Sequence, residues 1–189
     1  MTTEPFDSGG VLSDVQDPAP REPDRWHGGL DIGLLVLRLL LGVIMGAHGL
    51  QHLFGLFGGP GIDGFAKVLS GHGYTTQTTL LSWITGVTEV GGSLLLIAGL
   101  FTPVASAALL GVAINIVYVK FRGGFFEGAD KGFEFELLLA GVALAILCMG
   151  AGRISLDRNT PWRKRPMPIG LLALLLSVAA SVAVLVLCR

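Results

Sequence analysis

Leu35 to Ile62 reads LVLRLLLGVIMGAHGLQHLFGLFGGPGI. Its first half is apolar enough to lie in lipid, where a span takes about 20 such residues. No water is present there to satisfy a backbone N–H or C=O, so the run has to be helical. It nevertheless carries Arg38, His48, Gln51 and His52. A charge at the centre of a membrane helix costs on the order of 2.5–3.5 kcal/mol, so each of these side chains marks a candidate site. At about 100° per residue, Arg38, His48 and His52 share an arc of roughly 80°. Gly42, Gly46 and Gly49 lie on or beside that arc, which makes one stripe both narrow and polar and suits it to close helix packing. Gln51 falls off the stripe and suits the membrane surface or a different helix.

The rest of the chain repeats the apolar pattern. Of 189 residues, 51% are hydrophobic and 14% charged, with a net charge of −1. A soluble domain carries about 25% charged residues, so lipid is the expected solvent. Without a basic excess, nucleic acid is excluded as a partner. After a first run at 30–57, others cover 79–100, 104–119, 133–150 and 169–188. They predict an all-α polytopic transmembrane bundle, with a four-helix unit over 29–157 and a basic linker and fifth transmembrane helix over 158–189. Gly58-Gly59-Pro60-Gly61 ends the first helix, and Pro161, Pro166 and Pro168 break the last linker. Residues 1–28 are acidic and Pro-rich. They bury too little apolar surface to fold and read as a disordered tail, not as a signal peptide.

Lys and Arg favour cytoplasmic loops. Arg153, Arg158, Arg163, Lys164 and Arg165 cluster in one loop, and Arg21 and Arg25 precede the first helix on the same side. Lys67, Lys120, Arg122, Lys131 and Arg189 fall on the other side. This places the N-terminus in the cytoplasm and the C-terminus outside. Cys148 and Cys188 then lie at opposite faces, as apolar fillers rather than a disulfide.

Further polar residues sit in or at the edge of the other runs. Glu89 lies about 15 Å from the outer end of the second helix and His48 about 13 Å from that of the first. The two are nearly level. A carboxylate in lipid needs a cationic or hydrogen-bonding partner, and Arg38 and His48 are the candidates. Asn115 is in the outer third of the third helix. Glu134 and Glu136 open the fourth, where a helix N-terminus favours carboxylates. Two residues apart, only one of them can face the bundle. The polar groups therefore converge on a pocket in the outer half, with His48 as proton donor or acceptor. Plainer roles stand beside this one: an Arg38–Glu89 pair that only fixes register, a His48 bonded to a carbonyl, a solvated Glu136. No flavin fingerprint, thiol pair, iron–sulfur motif or complete metal set appears, so catalysis by this chain alone is not expected.

The run Leu35–Ile62, together with GVTEVGGSLLLIAGLFTPVAS and GFEFELLLAG, resembles the DoxX family of small bacterial membrane proteins. The likeness covers about residues 30–157. It implies a four-helix transmembrane bundle in a bacterial plasma membrane. It carries Arg38, His48, Gln51 and Glu89 over to the family's polar positions and Glu134 to its fourth-helix glutamate. His52 stands where the family commonly has Lys. The family is linked to membrane subunits of sulfur- and quinone-related oxidoreductases, and some of its members to oxidative-stress and thiol-redox assemblies. The resemblance thus implies a redox-assembly subunit whose polar pocket holds a quinone head, as cofactor, or a small oxyanion, with other redox proteins as partners. A non-catalytic scaffold that recruits soluble proteins, or a small-solute or proton transporter, are the alternatives.

Overall fold

The computed structural model describes residues 27–126, 132–160, 162 and 166–189. The acidic tail before residue 27, and Lys131, Pro161, Arg163, Lys164 and Arg165, lie outside the described residues. The described helices are α1 (Gly28–Phe54), α2 (Gly61–Gly71), α3 (Thr78–Ala98), α4 (Thr102–Lys120), α5 (Glu134–Met149) and α6 (Pro166–Cys188). Among the described residues α1, α3, α4 and α6 are long and apolar enough to cross a membrane. α5 has 16 residues and is about 24 Å long, yet it also runs from one end of the bundle to the other. Its first turn meets Lys120 at the end of α4, and the segment after its last turn meets Asp31 at the start of α1. The described residues thus form a membrane-spanning helical bundle in which α1 starts at one end and α6 finishes at the other.

In lipid, apolar side chains have little reason to prefer one another over the solvent, so small residues and polar contacts decide how helices pack. The α1–α3 seam shows this. A Cβ at Gly42 would lie 2.6 Å from Ile97, at Gly46 3.2 Å from Ser93, and at Gly49 2.8 Å from Glu89. The glycine stripe on α1 therefore lets α3 come into backbone contact. Across α4 the packing is more conventional, with Leu41, Leu96, Leu109, Ile146 and Leu147 almost fully buried.

α1 stops at Phe54, short of residue 57, because Gly55 turns left-handed (φ 68°) and its N–H donates to the Gln51 carbonyl at 3.1 Å. The following residues are not a simple loop. α2 is an amphipathic helix, with Ile62, Phe65, Ala66 and Leu69 at helical spacing. It is half the length a membrane span needs, and it packs on α1 and α3. Nor do Pro166 and Pro168 break the last linker. Both lie in the first turn of α6, where a missing N–H breaks no helical bond.

The end opposite α2 is closed by the segment after α5. Asp157 is fully buried and accepts from the N–H groups of Phe101 and Thr102 at 3.0 and 2.9 Å and from the Trp162 indole at 2.8 Å. Its carboxylate therefore satisfies the open N-terminus of α4, where the helix dipole favours negative charge. Asp31 accepts from the Arg153 N–H at 2.7 Å in the same region.

Candidate functional site

Glu89 is 1% exposed in the middle of α3. A carboxylate so placed needs a donor, and the donor is His52, whose Nδ1 lies 2.7 Å from Glu89 Oε2. A contact of that length between imidazole and carboxylate holds a proton between them. The expected partners, Arg38 and His48, do not make this contact. The reason is the lean of helical side chains. Each Cα–Cβ bond tilts toward its own helix N-terminus. α1 and α3 are antiparallel, so Glu89 leans toward the α2 end while residues of α1 lean away from it. Only a residue of α1 nearer the α2 end than Gly49, which abuts Glu89, can meet the carboxylate half-way. His52 is that residue; His48 leans the wrong way.

The same lean carries Arg38 toward the opposite end. It is 1% exposed, donates from Nη2 to the Ile154 carbonyl at 2.6 Å and packs against Gly99 and Ser155. Arg38 thus belongs to the Asp157 closure, some way from Glu89.

His52 and His48 line a cavity of about 740 Å³ together with Glu89, Asn115, Lys120 and Glu136. The His52 ring stacks flat on Phe65 of α2, with centroids 3.8 Å apart and planes 6° from parallel. His48 touches the His52 ring at 6.3 Å and the Phe135 ring edge-on at 6.4 Å. Among the described residues His48 has no hydrogen-bond partner, so its ring nitrogens are open to an occupant of the cavity. At the far side of the chamber Lys120 donates to Glu136 at 2.7 Å. Asn115 donates to the Gly111 carbonyl at 3.0 Å and to Ser181 Oγ of α6 at 2.7 Å. The remaining wall is largely aliphatic and comes mostly from α3, α4 and α6, with Val68 and Leu69 of α2 and Leu139 of α5.

Four of the residues singled out in the sequence therefore share one chamber: His48, His52, Glu89 and Asn115. Arg38, Gln51 and Glu134 are not on its wall. Gln51 lies under the exit turn, its backbone held close by Gly59. Glu134 faces a separate shallow groove beside Leu37 and Leu138. Of the two carboxylates that open α5, the structure turns Glu136 inward, because Lys120 on the neighbouring α4 faces that side. Phe65, His72 and Lys120 are wall residues that the sequence does not single out, and Glu136, whose plainer role is a solvated carboxylate, is on the wall as well. The periodic apolar face of 61–71 is the available signal for Phe65. Among the described residues no group of three His, Cys, Asp or Glu side chains is arranged to hold a metal ion.

An aliphatic wall with a few polar side chains is the lining that can take an amphipathic molecule. Here the aliphatic wall can take apolar area, and the histidines and carboxylates can fix a polar head and exchange protons with it.

Comparison with known proteins adds the family. The DoxX family model matches residues 33–122, which hold most of α1 and all of α2, α3 and α4. A Haemophilus influenzae protein described as uncharacterized is 33% identical over 96 residues, covering 49% of this chain and 70% of its own length. No solved structure matches. α5 and α6 fall outside the family match, which is thus shorter than the likeness read over residues 30–157.

Proposed function

The chain belongs to the DoxX family, and from that premise we propose that it is the quinone-binding membrane subunit of a redox assembly in a bacterial plasma membrane. The observation that carries this reading is the chamber itself. His48, an imidazole without a hydrogen-bond partner among the described residues, stands beside a hydrogen-bonded His52–Glu89 pair in a largely apolar space. A quinone carbonyl accepts from an imidazole N–H, and the His48 and Phe135 rings offer flat surface beside it. When bound, a quinone supplies a carrier of two electrons and two protons, the electrons coming from a partner protein of the assembly. The chain's own part is to hold the head, keep bulk water out and move protons. His48 donates to a carbonyl oxygen. His52 exchanges its proton with Glu89, and with only 16% of its side chain exposed it is the link between that carboxylate and the α2 end. Asn115 and the Lys120–Glu136 pair offer further polar contacts across the chamber. In this reading the N-terminus is cytoplasmic and the α2 end faces outward, following the basic loop at 153–165.

The test is equilibrium binding of decylubiquinone to the full chain in lipid nanodiscs. Wild type should bind, and His48→Ala should weaken binding about tenfold, the loss of one good hydrogen bond at roughly 1.4 kcal/mol. Equal affinity in the two proteins, both folded by circular dichroism, refutes the role of His48.

A further inference from the structure

The open side of the chamber decides how a ligand reaches the histidines. α3 and α6 both wall it, α3 with Ile84, Thr85 and Thr88 and α6 with Leu172, Leu176 and Ala180. Yet the two helices do not pack on each other to any extent. α6 packs on α4 and α5, and α3 packs on α1, α2 and α4. α6 is fixed to α4 by small and polar residues, Ser177 against Gly111 and Ser181 to Asn115. It is tied to the start of α3 at the α2 end, where the N–H groups of Thr75 and Thr76 donate to the Cys188 carbonyl at 2.8 and 3.3 Å.

Away from that tie the gap stays open. Ile84, Leu172 and Leu176 line the cavity and are 50%, 60% and 64% exposed. With α3 and α6 not packed on each other, side chains left this bare mark the rim of an opening. By helical rise, Ile84 lies about 9 Å and Leu176 about 18 Å in from the α2 end of its helix. Both depths fall within a hydrocarbon layer about 30 Å thick. The rim is apolar, as a contact with lipid tails requires.

We propose that the α3–α6 gap is a lateral portal through which a bilayer-dissolved ligand enters, head first toward His48, its aliphatic or isoprenoid chain remaining between the two helices. The identity of the head rests on the quinone reading above; the route does not. The portal follows from α6, which lies outside the family match. By standing off from α3, this helix turns one side of the α3–α4 surface into a walled chamber with a slot. The volume of about 740 Å³ is toward the upper part of the range for ligand pockets, roughly 300–1,000 Å³, and leaves room for the first segment of a chain beside the ring.

The experiment fills the slot. Ala180 lines the cavity from the exposed face of α6, so Ala180→Trp places a bulky ring in the gap with little demand on the fold. In nanodiscs, decylubiquinone should bind this variant at least tenfold more weakly than wild type. The tail-less 2,3-dimethoxy-5-methyl-1,4-benzoquinone should bind both within twofold. Unchanged decylubiquinone affinity overturns the portal. A second readout needs no quinone. In a Cys148→Ser, Cys188→Ser background, Thr88→Cys puts a thiol on the chamber wall. A bilayer-partitioned N-alkyl maleimide should label it, and Ala180→Trp should slow that labelling at least tenfold. Equal labelling rates overturn the portal by themselves. Portal-dependent labelling in a chain that binds neither quinone supports the route and sinks the quinone reading.

Discussion

At the residue scale the account turns on Glu89. Its carboxylate is buried in a helix surrounded by lipid and apolar side chains, and His52 is what makes that tolerable. Removing one member of a buried pair leaves the other charge uncompensated, at a cost of about 3–5 kcal/mol. His52→Ala should therefore lower the melting temperature in mild detergent markedly. The double change His52→Leu, Glu89→Leu should recover most of the loss, since replacing both partners by apolar groups is close to neutral. Additive losses in that double variant, measured by the same melt, would show that the two residues are not coupled. Arg38 makes the contrasting prediction. It lies among Ile154, Gly99 and Ser155, off the chamber wall. Arg38→Met should lower the melting temperature yet leave decylubiquinone affinity within twofold of wild type. A loss of binding in a folded Arg38→Met chain would return Arg38 to the site.

At the scale of the elements, the seam between α1 and α3 positions the site. A Cβ at Gly49 would sit 2.8 Å from the Glu89 Cβ and 2.9 Å from the Val90 backbone nitrogen. Backbone cannot move aside as a flexible side chain can, so Gly49→Ala should push the helices apart, destabilise the fold and weaken ligand binding together. Gly141→Ala is the control. Nothing lies within 4 Å of a Cβ there, and alanine favours a helix by up to about 1 kcal/mol over glycine. Its melting temperature should hold or rise. Much of this scale was legible in the sequence. Long apolar runs can only be helices in lipid, and the glycines between Gly42 and Gly49 announced a close seam. Which histidine met Glu89 was not legible. Depth along the helices puts His48 level with Glu89, but the pairing depends on the opposite lean of side chains on antiparallel helices. α2 stayed hidden for a different reason: 11 residues with a glycine at each end look like a loop to a search for spans. The choice between Glu134 and Glu136 falls the other way from the sequence expectation of Glu134 in the polar core and Glu136 in solvent, because Lys120 on another helix faces Glu136.

At the scale of the whole molecule, the start of α1 and the end of α6 lie at opposite ends of the bundle, and the cysteines can report which side each faces. Cys148 lies at the end of α5 beside the Asp157 closure, and Cys188 at the end of α6 beside the start of α3. If the basic loop is cytoplasmic, a membrane-impermeant maleimide should modify Cys188 in intact cells and Cys148 only after permeabilisation. The reverse pattern would invert the topology. Above this lies the claim on which the functional reading depends: side chains of α1, α3, α4 and α5, walled by α6, form one chamber that takes a quinone head. The most direct measurement is photo-crosslinking with a short-chain azidoquinone in nanodiscs, followed by mapping of the modified peptides with and without excess decylubiquinone. Competed adducts should fall on residues 45–52 of α1, 84–89 of α3 and 172–181 of α6. Adducts confined to the outward face of α1, at Leu39, Leu40 and Val43, or adducts that decylubiquinone does not displace, would contradict it.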